Sequence, residues 1–141
     1  MFTYYMPTQV FFGKGCIAES GQVLADLGKR ALLVTGRHSA KVNGSQDAFT
    51  GKLDELGISW YLFDDVENNP SIDTIRRAAA FAKEKGVDFV VGIGGGSPMD
   101  AAKALPFSAR MISMMNNFSR GLIKSLCPSW PCRRQPERGA K

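Results

Sequence analysis

No apolar run in this 141-residue chain approaches the roughly 20 residues a membrane-spanning helix needs. The N-terminus, MFTYYMPTQV, lacks the basic stretch followed by an apolar core that marks a secretory signal. Cysteine is scarce and odd in number: Cys16, Cys127 and Cys132, the last two five apart with no second pair. A disulfide scaffold and a structural zinc site are therefore poor readings, and a reducing, cytoplasmic setting is expected. There is no internal repeat and no low-complexity tract. What is present is ordinary globular material, 44% apolar and 22% charged, enough for one domain.

Charge is distributed unevenly. Residues 1–104 carry 11 basic and 12 acidic side chains, whereas residues 105–141 carry 7 basic side chains and a single acid, Glu137. The whole excess of +5 sits in the tail. A basic tail suits nucleic acid, but its aromatics, Phe107, Phe118 and Trp130, are sparse and form no stacking pattern, so nucleic acid is not the expected partner.

The first hundred residues alternate between strand and helix patterns. Residues 1–12 read as one or two short strands broken at Pro7, and Ile17, Val23, Leu24 and Leu27 as a helix ending at Gly28. RALLVT, 30–35, is a buried-type strand, followed by a helix over about 45–56 stopped at Gly57 and a strand over 58–63. The acidic, Asn-rich DDVENNP makes a turn; Ser71 then caps a third helix that ends at Gly86, and DFVVGI, 88–93, is another buried strand. Such alternation with short loops predicts right-handed βαβ units: an α/β fold with an open parallel sheet flanked by helices. From Leu105 onward this rhythm is lost: no clear period appears and the composition changes.

The strongest local feature is Gly94-Gly95-Gly96-Ser97-Pro98-Met99-Asp100, which follows a strand and opens a helix. Ser97 suits the N-cap, Pro98 the first helical position, and Asp100 the third residue of a capping box. Glycines let an anion approach the backbone, and the free N–H groups of a helix start favour phosphate. Two familiar phosphate motifs fail. There is no G-x-x-x-x-G-K-[ST], and G-x-G-x-x-G counted from Gly92 and Gly94 meets Ser97 where glycine is required. No acid follows at the expected ribose distance, and a plain strand-to-helix turn is the competing reading.

GIGGGSPMDAAKA, 92–104, resembles the GGGSxxDxxK signature of the iron-containing (group III) alcohol dehydrogenases. FGKGCI, LLVTG and FDDVENNPSIDTI resemble the same family in order and spacing, so the resemblance covers residues 1–104 almost continuously. It implies a Rossmann-like, dehydroquinate synthase-like N-terminal domain that binds NAD(P). It also implies a separate helical domain that supplies one Asp and three His to a divalent metal, iron or zinc. Gly95, Gly96 and Ser97 would hold the pyrophosphate, with Asp100 and Lys103 close behind and Asn69 and Pro70 near the adenine. Members preferring NAD tend to carry an Asp at the position of Gly36; here Gly36 is followed by Arg37, His38, Ser39 and Lys41, which suits the 2′-phosphate of NADP.

The family pattern predicts AIAVL after Ala104 and, later, PTTAGTGSE. Neither is present, yet codons shifted by one base within residues 128–141 permit VVAVPTTAGTGSE, with Trp130-Pro131 forcing alanine. Residues 105–141 are accordingly expected to be an aberrant, out-of-frame basic tail and no separate domain. With His38 the single histidine, the metal ligands are expected to be absent, no catalytic residue is assigned, and this truncated chain is expected to be inactive alone. The expected function is that of an NAD(P)- and metal-dependent alcohol dehydrogenase reduced to its cofactor-binding domain: Gly36, Ser39, Asn69, Gly95, Gly96, Ser97, Asp100 and Lys103 meet NADP or NAD. The full enzyme acts on a small alcohol or aldehyde, without a membrane, and the resemblance allows a homodimer. The alternative is a non-catalytic nucleotide-binding or interaction module.

Overall fold

The computed structural model describes residues 8–105, 110–115 and 121–125. Six strands form one sheet in the order β1-β6-β5-β4-β2-β3: β1 (Thr8–Phe12), β2 (Arg30–Gly36), β3 (Ser59–Val66), β4 (Phe89–Gly94), β5 (Arg110–Met115) and β6 (Gly121–Ser125). β3, β2, β4 and β5 run parallel, and β6 lies antiparallel between β5 and β1. The expected parallel sheet flanked by helices is thus what forms, with one antiparallel strand added.

β2 and β4 lie side by side inside the sheet, and their apolar runs are buried on both faces, as parallel strands require. Alternation divides their side chains between two cores. Ala31, Leu33, Phe89, Val91 and Ile93 pack with Phe49 and Leu53 of α3 (Ser45–Glu55) and with Leu24. Leu32, Val34 and Val90 face the other way, onto Ala78 and Ala82 of α4 (Ile72–Lys85) and Ala101 and Ala102 of α5 (Gly96–Ala104). Alanine on α4 and α5 lets helix and sheet approach closely, and Gly92 completes the fit: a Cβ there would lie 3.1 Å from that of Ala102.

The helix stops follow glycine chemistry. Gly57 and Gly86 both take left-handed φ, +65° and +59°. Each closes its helix with the paired bonds of a Schellman motif: Ile58 N–H to Leu53 O with Gly57 N–H to Asp54 O, and Val87 N–H to Ala82 O with Gly86 N–H to Lys83 O. Ser71 caps α4 as expected, its Oγ accepting from the Thr74 N–H at 3.2 Å.

Four sequence expectations need correction. The helix expected to reach Leu27 stops after α1 (Cys16–Ser20) and tightens into a 3₁₀ turn over Gly21–Leu24, where Gly21 lies beneath the Lys52 side chain and a Cβ would come within 2.7 Å of its Cγ. The third strand runs on through Asp64 and Asp65 to Val66, because pairing with β2, across an irregularity between Val34 and Gly36, carries it past the acids. A one-turn helix, α2 (Ser39–Val42), follows β2. β5 and β6 lie where the sequence shows no clear period, because strands of six and five residues carry little periodicity and the open edge of β4 supplies the pairing. The expected strand before Pro7 and the cysteines at 127 and 132 lie outside the described residues.

Candidate functional site

Chain direction around the sheet reverses once in its parallel part. From β2 the chain passes by α3 to β3 on one side, then returns by α4 to β4 on the other side of β2. The segments leaving the carboxyl ends of β2 and β4 therefore diverge to opposite faces, opening the crevice in which α/β sheets of this order bind ligands. A cleft of about 600 Å³ lies there, lined by Gly36, Arg37 and His38 at the end of β2, Val66, Glu67 and Asn68 at the end of β3, and Gly95, Gly96, Ser97 and Pro98 after β4.

The glycine turn forms one end of the cleft. Gly94 turns the chain with φ +144°, and a Cβ there would come 2.9 Å from Pro98 Cγ. Gly95 is extended and α5 begins at Gly96, so Ser97 and Pro98 occupy the second and third helical positions. This corrects the expectation that Ser97 caps the helix. Without side chains at 95 and 96 the helix starts earlier, and no side chain caps it. The Ser97 hydroxyl instead accepts the N–H of Asn69 at 3.2 Å, tying the β3–α4 loop to the glycine turn. Asn69 has left-handed φ, +55°, a conformation asparagine tolerates better than most residues. Asp100, expected to complete a capping box, lies 3.8 Å from Lys103 on the exposed side of α5.

The first turn of α5 presents the N–H groups of Gly95, Gly96 and Ser97, which have no intrahelical acceptor, while Pro98 has no N–H to leave unpaired. A Cβ on Gly95 or Gly96 would meet nothing within 4 Å, so both glycines border open space that a ligand can fill. These groups fit a pyrophosphate.

Of the residues expected at the site, Gly36, Gly95, Gly96 and Ser97 line the cleft together. Asn69 is joined to it through Ser97. Ser39 opens α2 beyond the lining residues, and Asp100 and Lys103 sit farther along α5. Sequence reasoning did not single out Val66, Glu67, Asn68 or Pro98 as lining residues. Glu67 had a readable signal, an acid four residues before the cap Ser71. Its carboxylate accepts the Ser71 N–H at 2.8 Å and the Thr74 hydroxyl at 2.9 and 2.8 Å. The bond from the Ser71 backbone, then its own backbone and the Thr74 hydroxyl, hold its pKa down at about 2.

The cations after Gly36 are already engaged. Arg37 donates to Asp65 Oδ1 through Nε at 3.0 Å and Nη2 at 2.6 Å, and Arg77 donates to Oδ2 of the same carboxylate at 2.9 Å. Lys41 reaches Asp64 at 2.8 Å. Hydrogen bonds from Arg37 and then Arg77 lower the Asp65 pKa, and the same contact with Asp65 raises that of Arg37. Among the described residues no three His, Cys, Asp or Glu side chains come together as a group that could hold a metal ion. No helix among the described residues is long and apolar enough to cross a membrane.

The fold agrees with what comparison shows. The family model for iron-containing alcohol dehydrogenase matches residues 7–129, and the chain belongs to that family. It is 42% identical over 104 residues to NADH-dependent butanol dehydrogenase A of Clostridium acetobutylicum, covering 74% of this chain and 27% of that protein. It is 33% identical over 129 residues to alcohol dehydrogenase 4 of Schizosaccharomyces pombe, covering 91% and 30%. Among solved structures it superposes on an iron-containing alcohol dehydrogenase with a TM-score of 0.72 at 50% identity, over 74% of this chain and 29% of the other. The iron-containing alcohol dehydrogenase of Thermotoga maritima gives a TM-score of 0.75 at 33% identity, over 91% and 46%. The chain spans roughly a quarter to a third of the length of these two curated relatives.

Proposed function

We propose that this chain binds a nicotinamide dinucleotide in the cleft at the ends of β2, β3 and β4, as the cofactor-binding part of an alcohol dehydrogenase that moves hydride between a small alcohol or aldehyde and NADP. The observation that carries this reading is the pair Gly95 and Gly96, open to the cleft at the start of α5, where N–H groups without intrahelical acceptors and the positive helix end favour an anion. The bound dinucleotide supplies the hydride acceptor or donor. The chain's own residues bind and orient it: Gly95, Gly96 and Ser97 receive the pyrophosphate, the Ser97–Asn69 contact fixes the turn, and Gly36 with Arg37 borders the ribose. No acid stands at position 36 to meet a 2′-phosphate, which favours NADP over NAD. Ser39, Asp100 and Lys103 are assigned to the outer reach of the same site. In this reading residues 1–104 form the cofactor unit, and β5 and β6 extend its sheet rather than build a second domain.

Titration of the full 141-residue chain with NADPH and NADH, followed by nucleotide fluorescence, tests the reading. Saturable binding is expected. The Gly95→Val variant sharpens the test: the backbone at 95 is extended and a Cβ meets nothing, so the fold is expected to survive while the side chain fills the cleft and abolishes binding. Unchanged affinity in a folded Gly95→Val protein, or no binding to the unsubstituted chain, would reject the proposal.

A further inference from the structure

We infer that Asp65 is a specificity-determining positioning residue: by holding the guanidinium of Arg37, it limits how strongly the cleft can favour a dinucleotide carrying a 2′-phosphate. This rests on the cleft being a dinucleotide site. Sequence alone shows a cluster of cations after Gly36 and suggests a strongly phosphate-seeking rim. The structure shows that rim neutralised, with Arg37 on Asp65 and Lys41 on Asp64.

Three observations single out Asp65. Arg37 lines the cleft, one residue beyond Gly36, and is the nearest of these cations to the crevice along the chain. The pair is two-pronged, with Nε and Nη2 on one carboxylate oxygen, so the donors that would grip a phosphate are the ones engaged. The Arg37 side chain is 66% exposed, and an ion pair so exposed is weak enough for a ligand phosphate to compete for it. Arg77 occupies the other oxygen of Asp65, so Asp65 divides its charge between an arginine in the cleft and one outside it. Strengthening or weakening its hold on Arg37 therefore changes what Arg37 can give to a ligand, without altering any group in the cleft.

The test compares dissociation constants for NADH and NADPH in the full chain and reads their ratio, which cancels a general loss of folded protein. Asp65→Asn releases Arg37 and is expected to raise the preference for NADPH about tenfold, the scale of one charge-assisted contact. Arg37→Gln is expected to lower the preference, and Asp65→Asn added to Arg37→Gln is expected to have no further effect. An equal shift with and without Arg37 would overturn the inference, because the carboxylate would then be acting by its charge alone. So would an unchanged ratio in folded Asp65→Asn. If that variant fails to fold, Arg77→Gln serves: it leaves Asp65 to Arg37 alone and should reduce the NADPH preference by about two- to threefold, an unchanged ratio again overturning the inference. Absence of saturable binding of either nucleotide to the unsubstituted chain rejects the dinucleotide site itself, whereas binding with no coupling between residues 37 and 65 rejects only the role of Asp65.

Discussion

Glu67 accepts the Ser71 N–H and the Thr74 hydroxyl at the start of α4 while bordering the cleft, and these bonds keep its carboxyl ionised down to about pH 2. A folded pKa below the ordinary 4.5 means that the carboxylate stabilises the fold above that pH, and that the contribution fades as pH falls from about 4.5 toward 2. Glu67→Gln is therefore expected to be less stable than the unsubstituted chain at neutral pH, with the gap in urea midpoint closing as pH drops through that window. At Gly94 the constraint is steric: φ is +144° and a Cβ would crowd Pro98. Gly94→Ala is expected to cost about 1–3 kcal/mol in chemical unfolding, together with loss of nucleotide binding, because the turn itself must shift. Some of this scale was legible in sequence. A triple glycine after an apolar strand announces an anion-binding turn, but Ser97 illustrates what local pattern misses. It stands where a cap belongs, yet its hydroxyl serves Asn69, a residue 28 positions away.

Among the elements, α4 is the one most fully written in the sequence. Ser71 at its start, Asp73 in its first turn, Lys83 and Lys85 in its last and Gly86 beyond it all favour a helix of the observed span. Its buried face is less plainly written: Thr74, Ala78 and Ala82 recur every four positions and are buried, Ile75 and Ala79 are only partly buried, and Ile72, apolar by type, is exposed. Removing the cap by Ser71→Ala is expected to lower stability by about 1 kcal/mol, read from thermal or urea unfolding. The same change removes the hydroxyl that meets Thr74 but keeps the Ser71 N–H that Glu67 accepts. α1 was less legible, because the apolar spacing through Leu27 does not reveal that Gly21 will be pressed beneath Lys52. β3 outran its apolar segment for a comparable reason. Asp64 and Asp65 look like loop residues until Lys41, Arg37 and Arg77 supply their partners.

For the molecule as a whole, stability is expected to be graded across the sheet. β2 and β4 are buried on both faces and paired on both edges, whereas β1 is an edge strand that leaves Val10 and Phe12 exposed. Hydrogen exchange should therefore find the slowest amides in 31–34 and 89–93 and markedly faster ones in 8–12. Uniform protection from β1 to β4 would contradict this gradient. The start of the sheet has its own clamp: the Asp88 carboxylate accepts the N–H groups of Lys29 and Arg30 at 2.8 and 2.9 Å, aligning β2 with β4 at the end opposite the cleft. Rigid central strands and a cleft built from the loops at their far ends are the arrangement on which the proposed nucleotide site depends.

The sequence by itself determined the α/β class, the strands centred on 30–35 and 88–93, the span of α4 and the place of the glycine turn. Each of these follows from short-range physics: burial on both faces of a strand, helix capping, and the freedom of glycine to take positive φ. Only the tertiary structure decided that β6 returns antiparallel beside β1, that α5 starts at Gly96 with Ser97 serving Asn69, and that the cations after Gly36 are already held by Asp64 and Asp65. Those outcomes depend on groups far apart in the chain becoming neighbours, and a partner's charge or an open strand edge acts only once folding has brought it within reach.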